Sequence, residues 1–193
     1  MIRILAISGS LRTASTNTVL LAAAAALAPR GVQITLYSGL ADLPAFNPDL
    51  DVQPPIPAVA DFRAHLNSSA AVIISSPEYA HGVPGTLKNA LDWLVASGEL
   101  YGKPTALFST SPRATYAQAS LTETLTIMTA RIIQEACITL PLLGKNLVPS
   151  DVISDPQHSQ SIRAALAELV RVSTPEQEPL LAPGQQLRKH RQL

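Results

Sequence analysis

Hydrophobic residues follow two alternating patterns along the chain, short runs rich in β-branched residues and longer segments with helical spacing. The short runs predict five β-strands, at residues 2–7, 32–37, 70–75, 105–109 and 137–142. The longer segments predict five α-helices, at residues 16–27, 58–66, 84–97, 121–135 and 161–172. Prolines are dense between positions 44 and 57. This segment is therefore predicted to be a loop, because proline is excluded from helix interiors and central strands.

The alternation of strands and helices predicts a parallel sheet with helices on both faces and right-handed connections. Five strands favour the flavodoxin-like, doubly wound α/β fold with strand order 2-1-3-4-5. Residues 1–175 are predicted to form one such domain, and residues 176–193 an irregular, proline-rich tail. In sheets of this order a ligand binds beyond the carboxyl ends of strands 1 and 3, so the loops after these strands are the candidate site.

Composition narrows the classes of partner. The chain has 193 residues, and its 14 basic and 14 acidic residues give a formal net charge of zero. A nucleic-acid partner is not expected, because such proteins usually carry a basic stripe. A membrane partner is not expected either, because no apolar stretch is long enough to cross a bilayer. The single cysteine, Cys137, excludes an internal disulfide and a cysteine metal cluster, and it favours a cytoplasmic location.

The loop after the first strand has the chemistry of a phosphate site. Gly9 allows a tight turn, and the amides that follow converge on the start of a helix, where the dipole favours an anion. The loop has neither a P-loop pattern nor a G-x-G-x-x-G fingerprint, which leaves a terminal phosphate monoester as the ligand that suits it. The alternative is that these residues only cap the helix, but a cap needs one of them. The candidate ligands are hydroxyl, amide and guanidinium groups: Ser10, Arg12, Ser15, Asn17 and Thr18.

The loop after the third strand has the features of a platform for a flat heteroaromatic ring. Its prolines, Pro77 and Pro84, stiffen the backbone, and Gly82 and Gly85 leave peptide groups accessible. Three further side chains accompany this platform: Tyr79 offers a ring contact, Glu78 is expected to fix the turn, and His81 lies near the rim. Taken alone, His81 is better explained as an exposed loop residue, and Trp93 as a core or interface residue.

The two loops together resemble those of a known family. G-S-L-R-x-x-S-x-N at positions 9–17, followed by S-P-E-Y-A-H-G-V-P-G-x-L-K-N-A-L-D-W at positions 76–93, resembles the NAD(P)H-dependent FMN reductase family, which includes flavin and quinone reductases. The resemblance covers residues 1 to about 110. It implies that Ser10, Arg12, Ser15, Asn17 and Thr18 bind the FMN phosphate. It also implies that Pro77, Glu78, Tyr79, His81 and Gly82 lie along the isoalloxazine ring.

The implied activity is a ping-pong transfer of hydride from NADPH or NADH, through bound FMN, to a quinone, a flavin or a similar small acceptor. No catalytic side chain and no metal ligand are assigned, because the flavin carries the redox chemistry. One departure from the family concerns the loop after the fourth strand, which is often glycine-rich in relatives and has no glycine here over residues 109–116. Ser111 in this loop is expected to reach the ring.

Two alternatives belong to other classes of protein. One is a flavodoxin-type electron carrier, although such carriers are usually strongly acidic. The other is a flavin-binding module without catalysis. The resemblance also implies a homodimer or a homotetramer. The candidate subunit contacts are Leu91, Trp93, Leu94 and the loop around Phe46, with core packing of the two leucines as the alternative.

Overall fold

A computed structural model describes residues 1–142 and 146–174. Its six strands are β1 (Ile2–Ser8), β2 (Val32–Tyr37), β3 (Ala71–Ser75), β4 (Pro104–Ser109), β5 (Arg131–Ile132) and β6 (Ile138–Thr139). Its six helices are α1 (Thr16–Ala26), α2 (Pro57–Asn67), α3 (Gly85–Asp92), α4 (Thr115–Ile127), α5 (Pro149–Ser154) and α6 (Pro156–Ser173). Short 3₁₀ helices cover Gly39–Asp42, Pro48–Leu50 and Gln134–Ala136.

The strands form one parallel sheet with the order β2-β1-β3-β4-β5, and β6 also pairs with β4. The predicted flavodoxin-like order 2-1-3-4-5 is therefore confirmed. Ser8 at the end of β1 is in register with Ser75 at the end of β3, and Ser75 is in register with Phe108 of β4. The loops that follow these three strands consequently meet at the carboxyl-terminal end of the sheet.

The core has two layers because successive strand side chains point to opposite faces of the sheet. Ile4 and Ala6 of β1 pack with α1, α5 and α6, whereas Leu5 and Ile7 pack with α2, α3 and α4. All five residues of β3 are buried, as expected for the central strand of a sheet covered on both faces.

The fourth helix and the fifth strand differ from the prediction. Helix α4 covers Thr115–Ile127 rather than residues 121–135, and Thr129, two residues after its end, has a φ of 61°. The Ala130 amide donates to the Leu125 carbonyl and the Thr129 amide to the Thr126 carbonyl, the hydrogen-bond pattern of a Schellman motif. The chain then re-enters the sheet as β5. The fifth position of the sheet is thus two short strands, β5 and β6, separated by the 3₁₀ helix Gln134–Ala136.

Three further boundaries differ. Helix α3 ends at Asp92, and turns replace its predicted last residues. Helix α5 was not predicted, and α6 begins at Pro156 instead of residue 161 because the Asp155 side chain accepts hydrogen bonds from the first free amides of that helix. The predicted tail at 176–193 lies outside the described residues, and a single domain over 1–175 stays a prediction.

Three of the candidate subunit contacts, Leu91, Trp93 and Leu94, belong to the core. Leu91, Trp93 and Leu94 are each at most 2% exposed. The Trp93 indole donates to the Pro44 carbonyl at 2.9 Å and meets Phe46 edge-to-face at a centroid distance of 5.1 Å. The prediction that Leu91, Trp93 and Leu94 form subunit contacts is therefore wrong, and Trp93 instead holds the proline-rich loop against the end of α3. The partly exposed loop around Phe46 stays a candidate contact. Within the described ranges, no helix is both long and apolar enough to cross a membrane.

Candidate functional site

Gly9 allows the loop after β1 to lie directly against the loop after β3. Its amide donates to the Ser75 carbonyl at 2.8 Å. A Cβ at this position would lie 2.9 Å from Ser76 Oγ and 3.0 Å from Leu87 Cδ2, closer than ordinary contact distance. A side chain at this position would therefore require Ser76 or Leu87 to move.

Ser15 and Asn17 organise the start of α1. The Ser15 hydroxyl caps the helix by accepting from the Thr18 amide at 3.4 Å. Asn17 is buried, and its Oδ1 accepts from the Ser75 hydroxyl at 2.9 Å and from the Thr110 hydroxyl at 3.5 Å. Asn17 thus connects α1 to the ends of β3 and β4, a structural role that the sequence pattern does not indicate.

A cavity of about 490 Å³, which we call the main cavity, lies between the loops after β1 and β3. Six of the predicted site residues line it: Ser10, Arg12, Ser15, Asn17, Pro77 and Tyr79. Its other lining residues are Ala14, Thr16, Asn146 and Leu147. Hydroxyls, an amide and an exposed guanidinium come from the first loop, whereas a proline and a half-exposed tyrosine come from the second.

A second cavity of about 310 Å³, the side cavity, lies beside the main one and shares Thr16, Asn17 and Pro77 with it. The loop after β4 forms its far wall with Thr110, Ser111, Arg113 and Ala114. Ser111, one of the predicted site residues, lies here, and so does Glu78. The Ser109 hydroxyl donates to the Ser111 carbonyl at 3.0 Å, and the Ser111 hydroxyl accepts from the Arg113 amide at 3.3 Å. Serine side chains therefore brace this glycine-free loop.

Glu78 connects the loop after β3 to helix α4. Its Oε2 accepts a hydrogen bond from the Ala117 amide in the first turn of α4 at 2.8 Å. This contact satisfies a free amide of the helix and places a carboxylate at the positive end of its dipole. Glu78 was expected to fix its own turn; in the structure its carboxylate caps a helix 39 residues further along the chain.

Thr18 lies apart from the other predicted phosphate ligands. Its hydroxyl is 2.9 Å from that of Ser8, and both line a separate cavity of about 380 Å³ on the β2 side of the loop. The structure therefore does not bring Thr18 together with Ser15 and Asn17 around the main cavity. Ser10 and Arg12 line both cavities and form the wall between them.

Comparison with known proteins shows the family to which the chain belongs. The family model described as NADPH-dependent FMN reductase matches residues 2–142, most of the chain. The chain belongs to this family. The family resemblance of the two loops is thus confirmed.

Curated relatives named as FMN reductase or quinone oxidoreductase match a little over half of the chain. An NAD(P)H-dependent FMN reductase of Pseudomonas aeruginosa is 38% identical over 112 residues, 57% of this chain and 60% of that protein. An NADPH:quinone oxidoreductase of Arabidopsis thaliana is 40% identical over 115 residues, 57% of this chain and 58% of that protein. The chain thus spans about 60% of the length of these curated relatives. A solved structure, the flavoenzyme NAD(P)H:(acceptor) oxidoreductase FerB from Paracoccus denitrificans, is 25% identical, with a TM-score of 0.72 over 89% of this chain and 98% of that one.

Two predicted residues of the FMN reductase motif, His81 and Gly82, lie outside the linings of both the main and the side cavity as the described residues form them. They belong to a tight hairpin in which Tyr79 and Gly82 exchange backbone hydrogen bonds of 2.9 and 3.0 Å. The two residues at its tip, Ala80 and His81, have φ values of 50° and 61°. The His81 ring stacks on Tyr116 at a centroid distance of 4.2 Å and an interplanar angle of 13°.

Sequence reasoning missed three residues at or near the candidate site. Asn146 and Leu147 reach the main cavity from the loop between β6 and α5, far along the chain from either motif. Tyr116 is the partner of His81. An aromatic residue near the start of a helix is too common to have indicated this contact, so nothing in the spacing identifies it.

Proposed function

We propose that the chain binds FMN in the main cavity and uses NADPH or NADH to reduce a small acceptor such as a quinone or a flavin. The observation that carries this proposal is the meeting of the two motif loops around one cavity. One loop supplies groups suited to a phosphate, and the other supplies a wall suited to a flat ring.

The residues of the main cavity fit an FMN molecule. A volume of about 490 Å³ is in the range of small-molecule sites. The Arg12 guanidinium and the hydroxyls of Ser10 and Ser15 would hold the phosphate by charge-assisted and neutral hydrogen bonds. Pro77 and Tyr79 would border the ring, and Ser111 would approach it from the side cavity.

Bound FMN would supply the redox chemistry, taking a hydride from the nicotinamide in one half-reaction and returning electrons to the acceptor in a second. The protein's own groups bind and orient. Asn17 links α1 to the ends of β3 and β4 through its hydrogen bonds to Ser75 and Thr110. Glu78 links the loop after β3 to α4. We assign no general acid, because hydride transfer requires no proton donor.

Two finer predictions remain part of the proposal. A homodimer or homotetramer is supported by the family resemblance, and a cytoplasmic location by the single cysteine. The relatives named as FMN reductase and quinone oxidoreductase support the choice of donor and acceptor.

The binding part of the proposal is tested by titrating the protein with FMN and with riboflavin, which lacks the phosphate. We expect tighter binding of FMN, and a loss of about 1–3 kcal/mol of FMN binding free energy in Arg12→Ala with riboflavin binding unchanged. Arg30→Ala is the matched control, because Arg30 is an exposed arginine at the opposite end of β1. Equal affinity of the wild type for both flavins would contradict the phosphate site.

The catalytic part is tested by following NADPH and NADH oxidation by the FMN-loaded protein, with and without a quinone. A reductase oxidises many equivalents of nucleotide per flavin when the acceptor is present. A flavin that neither nucleotide reduces would show a carrier or a binding module instead.

A further inference from the structure

The hairpin formed by Tyr79, Ala80, His81 and Gly82, beside the proposed flavin site, has an unfavourable backbone conformation at its tip. Ala80 and His81 both occupy the left-handed region, at φ values of 50° and 61°. This region is sterically unfavourable for an L-residue, and two consecutive non-glycine residues here are uncommon. Such a conformation persists only where surrounding contacts maintain it.

Two contacts from adjacent residues at the start of α4, Tyr116 and Ala117, supply that support. Glu78, just before the hairpin, accepts from the Ala117 amide at 2.8 Å. His81, at the tip of the hairpin, stacks on Tyr116 at 4.2 Å and 13°. The hairpin is therefore held to α4 at its base by a hydrogen bond and at its tip by two nearly parallel rings.

The hairpin and the two residues before it contribute to the linings of both cavities. Tyr79, its first residue, lines the main cavity, and Pro77 and Glu78, just before it, line the side cavity. Tyr116 is 58% exposed and is not among the described residues that line either cavity. The contact that connects Tyr116 to the hairpin is its stack on His81.

We propose that Tyr116 is a positioning residue that, by stacking on His81, holds the Tyr79–Gly82 hairpin in the conformation that binds the flavin ring. This inference rests on the proposed function for its ligand, FMN, and on the geometry of the loops for its mechanism. Tyr116 lies in the loop-to-helix segment that departs from the family pattern. The stack and the Glu78 cap give this segment a fixed relation to the ring platform without any glycine.

The test is a double-mutant cycle on Tyr116 and His81, read out as the dissociation constant for FMN. Tyr116→Ala and His81→Ala are each expected to weaken binding by about 2- to 12-fold, the range that an aromatic pair corresponds to. The two residues act through one contact. The double variant should therefore bind FMN no more weakly than whichever single variant has the lower affinity. Tyr116→Phe keeps the ring and should restore wild-type affinity, whereas Tyr116→Leu keeps bulk without the ring and should behave as Tyr116→Ala. Tyr101→Ala is the matched control, since Tyr101 is 79% exposed and lies in the turn before β4.

A second measurement uses the apoprotein and so does not depend on FMN binding. Hydrogen exchange of the Tyr79 and Gly82 amides, which pair across the hairpin, should be faster in Tyr116→Ala and unchanged in Tyr116→Phe. If the wild type fails to bind FMN while exchange responds as expected, the proposed function is wrong and the stack still holds the hairpin. Independent, multiplying losses in the double variant, or unchanged exchange in Tyr116→Ala, would overturn the positioning role.

Discussion

The Glu78 carboxylate and the Ala117 amide are joined by a 2.8 Å hydrogen bond between the loop after β3 and the first turn of α4. Helix α4 has no side-chain cap of its own, because Ala114 occupies the N-cap position. The helix therefore takes its cap from the ring platform, and the two loops that border the side cavity are tied together by one charge at the end of a helix dipole.

Replacing Glu78 should destabilise the fold through the loss of this cap. Glu78→Ala is expected to lower the free energy of unfolding by roughly 0.5–2 kcal/mol, the scale of a lost helix cap. Urea denaturation measures this, with Glu123→Ala, an exposed carboxylate further along α4, as the control that changes it by less than about 0.5 kcal/mol. Equal effects of the two substitutions would show that the Glu78 contact contributes nothing.

Adding a methyl group at Gly9 should separate the two motif loops. In Gly9→Ala the new Cβ would meet Ser76 Oγ and Leu87 Cδ2, so we expect a loss of about 1–3 kcal/mol of stability together with weaker FMN binding. Gly85→Ala is the control, because a Cβ at Gly85 has nothing within 4 Å. Calorimetric unfolding and an FMN titration of both variants measure the two effects. A Gly9→Ala protein as stable and as tight-binding as Gly85→Ala would contradict the close approach.

Tyr37 should make the fold sensitive to alkaline pH. Burial, reinforced by the nearby Asp61 carboxylate, raises the pKa of the Tyr37 phenol to about 12. The unfolded phenol ionises near pH 10, so between about pH 10 and 12 the folded state keeps a proton that the unfolded state loses. The stabilisation is complete below about pH 10 and declines as pH rises through that window.

This sign can be checked by urea unfolding at several pH values from about 9 to 12. Tyr37→Phe has no phenol to titrate, so its stability should fall less steeply over the window than that of the wild type. Tyr101→Phe removes an exposed phenol and should keep the wild-type slope. A Tyr37→Phe slope equal to that of the wild type would show that another group controls the alkaline transition.

Thr129 should be replaceable by glycine with a gain in stability. A β-branched residue with a φ of 61° at the end of α4 is strained, and glycine adopts this conformation without steric cost. We expect Thr129→Gly to raise the free energy of unfolding by about 0.5–1 kcal/mol, measured by thermal and urea unfolding. The same change within the helix, Thr126→Gly, should lower it, because glycine disfavours helix interiors. A loss of stability in both variants would contradict the strain at Thr129.

The same residue explains where sequence reasoning about the fold failed. The first four strands are apolar runs with clear boundaries, and the prediction of their order is confirmed. The residue after the α4 C-cap is a threonine, where glycine usually marks a helix terminus. With no such mark, the apolar residues Ile132 and Ile133 predict a continued helix. For the same reason the sequence does not predict the break between β5 and β6.

The candidate site was predictable as far as its signals are local in the sequence. The predicted phosphate ligands fall within the nine residues 10–18, and four of them line the main cavity together with Pro77 and Tyr79 of the second motif. Thr18 was predicted to join them, but one more residue along α1 turns its hydroxyl to Ser8. The contributions of Asn146 and Tyr116 depend on how distant segments pack, and no local pattern encodes that.

The divided fifth strand has a consequence for encounters between copies of the chain. A long, flat edge strand exposes a continuous row of unpaired amides and carbonyls, which can recruit a strand from another molecule. On the β4 side, β5 and β6 have two residues each, and the Gln134–Ala136 turn interrupts the row between them. Among the described residues, the six residues of β2 at the opposite edge form the longer template. The interrupted fifth strand thus leaves one side of the sheet poorly suited to growth by strand addition, a built-in protection against aggregation along that edge.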